Sequence, residues 1–204
     1  MSGFFLVVEG PEGAGKSTLV RALEARLRAA GHRVQMVREP GGTPLAEAAR
    51  ALALDPASHT GPAAELFLML AARADLVEKV IRPKLADGEV VVTDRFDLST
   101  TAYQVAGRGL PGAPVSAANS AATGGLVPDL TLVLDIPAGV GEARQARAGK
   151  ALDRLERESD GFHQRVHAAY RAASGPGVVH LDASRSAAEV ADAAWAEIVG
   201  RLER

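Results

Sequence analysis

The chain has 204 residues, 47% of them hydrophobic, a formal net charge of −2 and no cysteine. That length gives one domain with enough chain for a sizeable core, and the lack of cysteine excludes disulfides and thiolate metal sites. The slightly acidic balance argues against nucleic acid as a partner. No apolar run reaches the ~18–20 residues of a membrane span, and Met1-Ser2-Gly3 shows no export signal, so no membrane contact and a cytoplasmic location are expected.

The apolar run Phe4–Glu9 reads as the first strand. It enters Gly10-Pro11-Glu12-Gly13-Ala14-Gly15-Lys16-Ser17-Thr18, which fits G-x-x-x-x-G-K-[ST], and an amphipathic run with Leu19, Val20, Leu23 and Leu27 follows. This strand–loop–helix order is what a loop wrapping a nucleotide's phosphates requires. Glycines let successive N–H groups turn inward, and the helix beginning near Ser17 adds its positive dipole end. Lys16 can reach the β- and γ-phosphates, while Ser17 is placed to ligate Mg²⁺. The whole segment is expected to bind ATP.

The second strand, Arg33–Val37, delivers Arg38-Glu39-Pro40-Gly41-Gly42-Thr43. Helices are expected to begin near Pro44 and Pro62, proline suiting the first turn. The third strand, Val90–Thr93, delivers Asp94-Arg95-Phe96. Asp94 stands where it could hold Mg²⁺ directly or through water. Ligands in open parallel sheets sit beyond the strands' carboxyl ends, so Arg38 and Arg95 converge beside the phosphate loop. Both exceed what a triphosphate needs and suit a second anion, unless each pairs with Glu39, Asp94 or Asp97 as a structural ion pair.

Further helices are expected near Ser99, Pro114, Pro137, Asp160 and Ser186, with strands at Leu130–Asp135 and Val178–Leu181. Val190, Ala194, Ile198 and Leu202 form the buried stripe of the last helix, and Trp195 reads as core. Alternating short apolar and longer amphipathic runs predict an α/β fold, a five-stranded parallel sheet with helices on both faces. The segment at about 144–156 reads as a lid. Arg144, Arg147 and Arg154 would offset charge on a migrating phosphoryl group as the lid closes and excludes water. The alternative is a solvated face with pairs such as Arg154–Glu158. His163 and His167 lie four apart on a helix without an acidic third ligand and read as solvated.

Three arginines within reach of the crevice (Arg38, Arg73, Arg95) favour an acceptor that is already an anion. The motifs resemble those of the thymidylate kinase family. The loop Glu9–Thr18, Arg38–Thr43, Asp94-Arg95-Phe96 running through Ser99–Gln104, Gly107–Leu110, Pro128-Asp129 and Asp153-Arg154-Leu155-Glu156 match in order and approximate spacing. The resemblance implies a single kinase domain over residues 1–204 that makes dTDP from dTMP with ATP and Mg²⁺ for dTTP synthesis, as a homodimer. It implies that Arg95 and Arg38 hold the dTMP phosphate, that Arg73 meets a thymine carbonyl, and that Glu12 meets the 3′-hydroxyl. It puts Tyr103 where a 2′-hydroxyl would clash and Ser99, Thr100 and Gln104 near base and sugar. Some relatives carry a basic residue where Gly13 stands, so the catalytic arginine here is expected from the lid. Met69 occupies the place of a base-stacking aromatic, so either a sulfur contact substitutes for the ring or the base sits differently.

Other readings share parts of this inventory. Another nucleoside monophosphate kinase would differ mainly at Arg73 and Met69. A deoxynucleoside kinase would use Glu12 or Asp94 as a base on a sugar hydroxyl. A GTP-dependent switch would carry Asn-Lys-x-Asp, but Asn119, the only asparagine, is followed by Ser120.

Overall fold

Successive side chains of a strand point to opposite faces, and here each face feeds its own helical layer. In β1 (Phe4–Glu9), Leu6 and Val8 pack with Leu19, Leu23 and Leu27 of α1 (Lys16–Ala29) and with Ala194 and Ile198 of α9 (Ala187–Leu202). Phe5 and Val7 turn the other way, onto Leu76, Val77 and Phe96. The apolar strand sequence thus follows from burial on both sides, as parallel sheets require. Trp195 is partly buried against the α1–α9 layer, a core role.

The computed structural model describes residues 3–137, 139–148 and 152–202, without the side chains of residues 142 and 146–148. β2 (Val34–Arg38), β3 (Val90–Asp94), β4 (Leu130–Asp135) and β5 (Val178–Asp182) complete a parallel sheet in the order β2-β3-β1-β4-β5. Val8 and Arg38 both pair with Asp94. The carboxyl ends of β1, β2 and β3 are therefore level, and the loops leaving them converge. Ladder pairing carries β2 to Arg38, β3 to Asp94 and β5 to Asp182, each a polar residue beyond the apolar run that marks the strand in the sequence.

Helix starts follow local chemistry. In α2 (Pro44–Leu54) the Thr43 hydroxyl accepts the Ala46 N–H at 3.1 Å, with Pro44 in the first turn. Ser159 caps α8 (Asp160–Ala172) in the same way. α1 has no side-chain cap, and its N-cap Gly15 has φ of 96°. α3 (Pro62–Leu76) widens into a π-helical stretch, Val77–Ile81, before α4 (Arg82–Ala86). Pro83 lacks the N–H that a regular helix would donate there. α5 (Asp97–Thr100) likewise passes into π-helical Thr101–Gly107, followed by α6 (Gly112–Thr123).

Some expected starts shift. The helix expected near Ser99 begins at Asp97, the one near Pro114 at Gly112 and the one near Ser186 at Ala187. The helix expected from Pro137 is α7 (Val140–Ala148), because Gly139 has φ of 81°, outside right-handed helical geometry. Among the described residues no helix is long and apolar enough to cross a membrane.

Candidate active site

A cavity of about 550 Å³ opens at the carboxyl ends of β1, β2 and β3. Its walls come from the loop after β1, the segment after β2, the Asp94-Arg95 turn, α2, α3, α5 with its π-helical extension, and Arg144, Gln145, Asp153, Leu155 and Glu156. Of the residues expected from the sequence, Glu12, Gly13, Gly15, Lys16, Ser17 and Thr18 line it on one side. Arg38, Met69, Arg73, Asp94, Arg95 and Arg144 also line it, together with Ser99, Thr100, Tyr103 and Gln104. Gly10 and Pro11 act from behind, their carbonyls accepting from Lys16 Nζ at 2.9 and 2.8 Å, and Ala14 is buried.

The phosphate-loop half is preorganised. Gly10, Gly13 and Gly15 all have positive φ. A Cβ on Gly13 would come within 2.3 Å of Gly141 O, so a side chain here is barred by the backbone of α7. The uncapped N–H groups at the start of α1 face the loop. Burial, then the nearby Arg95, lowers the Lys16 pKa to about 8 against the pull of Glu12 and Asp94. A bound triphosphate favours the charged lysine, so above about pH 8 ATP binding takes up a proton. Calorimetric ATP affinity is expected to be level from pH 6.5 to 8 and then to weaken by about tenfold per pH unit. A profile that stays level to pH 9.5 would contradict this.

Ser17 Oγ donates to Asp94 Oδ2 at 3.1 Å. A hydroxyl and a carboxylate side by side are hard oxygen donors of the kind Mg²⁺ accepts.

The opposite half is dense in cations. Arg95 Nη2 donates to Glu12 Oε2 at 2.6 Å and Tyr103 OH at 3.1 Å, and its Nη1 donates to Tyr170 OH at 2.7 Å and Ser99 Oγ at 3.1 Å. Burial works to raise the Glu12 carboxyl, but Arg95 and Lys16 overcome it and hold its pKa at about 2. Neither candidate arginine takes the partners considered in the sequence. Arg38 pairs with Glu47 instead, Nη2 lying 3.0 Å from both carboxylate oxygens.

Arg73 is 4% exposed. Its Nε donates to Glu39 at 2.6 Å, Nη1 to Thr100 Oγ1 and to Asn119 Oδ1, and one Nη2 hydrogen to Phe96 O at 2.8 Å. Among the described residues, partners take four of the five guanidinium hydrogens and leave a single Nη2 hydrogen for a ligand. Burial raises the Glu39 pKa to about 7 despite Arg73.

Arg154 is not brought to the cavity. Its Nε donates to Ala53 O at 2.8 Å and its Nη2 to the fully buried Glu65 at 2.6 Å, so it ties the 153–156 wall to α2 and α3. The considered Arg154–Glu158 pair is absent as well, since Glu158 takes Arg108. Arg144 reaches Gly13 O at 3.3 Å and Ala183 O at 3.2 Å. The Arg147 side chain and residues 149–151 of the expected lid lie outside the described residues.

Sequence reasoning missed Arg50. It lines the cavity and spends one N–H on Pro40 O at 3.1 Å. Burial and then the Arg38 charge lower its pKa, with Arg95 adding to the repulsion. Three guanidinium groups held within reach of one another call for an anion between them. Arg50 follows Glu47 by three residues on α2, a spacing that could have flagged it.

A phosphate-loop wall and an arginine-rich wall that share one cavity suit a kinase whose acceptor is itself an anion. The thymidylate kinase family profile matches residues 8–194. The chain belongs to the thymidylate kinase family. It is 46% identical to the thymidylate kinase of Deinococcus radiodurans, with 98% of each chain covered. It is 50% identical to that of Pseudomonas entomophila over 100% of this chain and 99% of the other. It is also 50% identical to that of Cereibacter sphaeroides, covering 92% and 90% respectively. Family membership matches the parallel sheet and phosphate loop described above, and it makes the chain a phosphotransferase.

Proposed function

We propose that this chain transfers the γ-phosphoryl group of ATP to the phosphate of dTMP, giving ADP and dTDP. The observation that carries the reading is the shared cavity, with main-chain amides and Lys16 on one wall and Arg95, Arg50 and Arg38 on the other. Lys16 and the N-terminus of α1 hold the donor's β- and γ-phosphates, and Gly10–Thr18 wraps them. Arg95 and Arg50 hold the acceptor phosphate, with Arg38 beside them. The acceptor oxygen is already an anion, so alignment and charge compensation supply most of the rate.

Ser17 and Asp94 would hold Mg²⁺, which offsets charge on the phosphate oxygens when bound. Residues 144–156 act as a lid within a single domain. Arg144, beside the phosphate loop, supplies a positive charge to the transferring group, and Arg147 is assigned the same task from its sequence position. Arg154 serves this lid as its anchor.

The single free hydrogen of Arg73 faces a base carbonyl, Met69 packs on the ring, and Thr100 and Gln104 border it. Glu12 receives the 3′-hydroxyl while Tyr103 and Ser99 flank the sugar. A 4-amino group, as in dCMP, would put donor against donor at Arg73. The exposed Leu52 and Phe67 on the packed pair α2 and α3 support homodimer formation.

A coupled ADP-release assay over dTMP, dUMP, dCMP and UMP tests this. We expect dTMP to be used best. The missing methyl should cost dUMP about 10- to 200-fold in kcat/KM, and dCMP and UMP should fare worse. Equal use of all four would reject the base and sugar contacts.

A further inference from the structure

Arg95 is the one non-glycine residue with positive φ among the described residues, at 78°. A side chain with a Cβ disfavours that region, and such outliers persist only where neighbours over-determine them. Backbone bonds do part of the work. Arg95 N–H donates to Val8 O and Thr93 Oγ1 donates to Arg95 O, both at 2.9 Å.

Glu9 does the rest. This carboxylate, at the end of an apolar strand, is 0% exposed. Its Oε1 accepts the N–H of Phe96 at 2.8 Å and of Ser99 at 3.0 Å, so it fixes the peptide just after Arg95 and caps α5. Its Oε2 accepts from Ser99 Oγ at 2.7 Å and Tyr170 OH at 3.0 Å. Those same two hydroxyls receive Arg95 Nη1. One carboxylate thereby grips Arg95 at both ends, the backbone through Phe96 N–H and the guanidinium through two hydroxyls.

Both Glu9 oxygens carry two donors, and Glu9 is not among the cavity-lining residues. Its role is therefore not contact with a substrate. Glu9 also directly precedes Gly10, whose carbonyl accepts from both Lys16 Nζ and Arg95 Nη1. We infer that Glu9 is a positioning residue that sets the acceptor arginine in register with the phosphate loop. The inference rests on the proposed reading of Arg95 as acceptor clamp, and it extends that reading to a residue remote from the ligands.

Three substitutions in the full chain test it. Glu9→Asp keeps the charge but withdraws the carboxylate by one methylene. Glu9→Gln keeps the reach, since an amide oxygen can take both N–H groups and rotatable hydroxyls can accept from the amide nitrogen. Tyr170→Phe removes one hydroxyl of the relay and nothing else.

Glu9→Asp is expected to raise the KM for dTMP by about tenfold or more with the KM for ATP within about twofold of wild type. Glu9→Gln should restore the dTMP KM to within about threefold of wild type. Tyr170→Phe should raise it about three- to tenfold, which keeps the test open if Glu9→Asp does not fold. Unchanged dTMP KM in Glu9→Asp and Tyr170→Phe, or equal rises for both substrates alongside a lower melting temperature, would overturn the inference in favour of a plain structural carboxylate.

A crystal structure of the Glu9→Asp chain reads the same point without any substrate. Arg95 should leave its positive φ or displace its guanidinium, and an Arg95 unmoved from wild type would overturn the inference. Failure of the wild-type chain to phosphorylate dTMP would instead strike the functional reading alone.

Discussion

Replacing Arg95 with Ala is expected to lower kcat/KM for dTMP by about 10²–10³-fold, equivalent to about 3–4 kcal/mol of transition-state stabilisation. Arg95 meets Glu12, Ser99, Tyr103 and Tyr170 at once. Losing it removes the acceptor's charge-assisted clamp and strands the Glu12 carboxylate, whose other cation, Lys16, is 3.8 Å away. An unbalanced anion would then face the incoming phosphate, so most of the loss should appear in the dTMP KM. Arg95→Lys should recover little, because a single ammonium cannot span those partners and a phosphate as a planar fork does. Steady-state kinetics check this directly, and dTMP efficiency unchanged in Arg95→Ala would remove Arg95 from the acceptor site.

Lys16→Met should act on the other wall, and on a different parameter. Its ammonium is pinned by the Gly10 and Pro11 carbonyls, held ready for phosphate. Charge on the transferring group grows towards the transition state, so losing that ammonium should cost about 10²–10³-fold in kcat. Calorimetric dTMP affinity should hold within about threefold, since the acceptor arginines are untouched. A variant with normal kcat would show that Lys16 contributes nothing to transfer. Loss of dTMP binding would show that the two walls are not separable.

The opposite signatures of these two substitutions, KM for Arg95 and kcat for Lys16, follow from where each cation sits. They also show what kind of information a sequence carries. The phosphate loop is legible because seven-residue spacing, glycine conformational freedom and helix dipole are all local. The sheet is legible because burial on both faces demands apolar strands, and the polar ends of β2, β3 and β5 were missed for the same reason. Ladder pairing, not hydrophobicity, carries β2 to Arg38 and β3 to Asp94.

Long-range polar pairing was beyond reach. Arg154 looks like a lid cation by position, yet it is committed to Glu65, 89 residues away in the chain. Removing one partner of such a buried pair costs about 3–5 kcal/mol, which is why it stays made. Arg38 could be foreseen as a cation but not as the partner of Glu47. Glu9 gave one faint signal, a carboxylate ending a fully apolar strand. Its four donors come from residues 87 to 161 positions away, and no local pattern announces them.

Direct transfer requires two phosphate sites that share one cavity at a spacing that lets phosphate pass between them. A compound in which adenosine and thymidine are joined 5′ to 5′ by a chain of phosphates tests that spacing most directly. By competition calorimetry at fixed salt, it is expected to bind at least about 10²-fold more tightly than ATP and to exclude ATP and dTMP together, because the second grip is intramolecular. Affinity no better than that of ATP, or displacement of only one of the two nucleotides, would contradict the account.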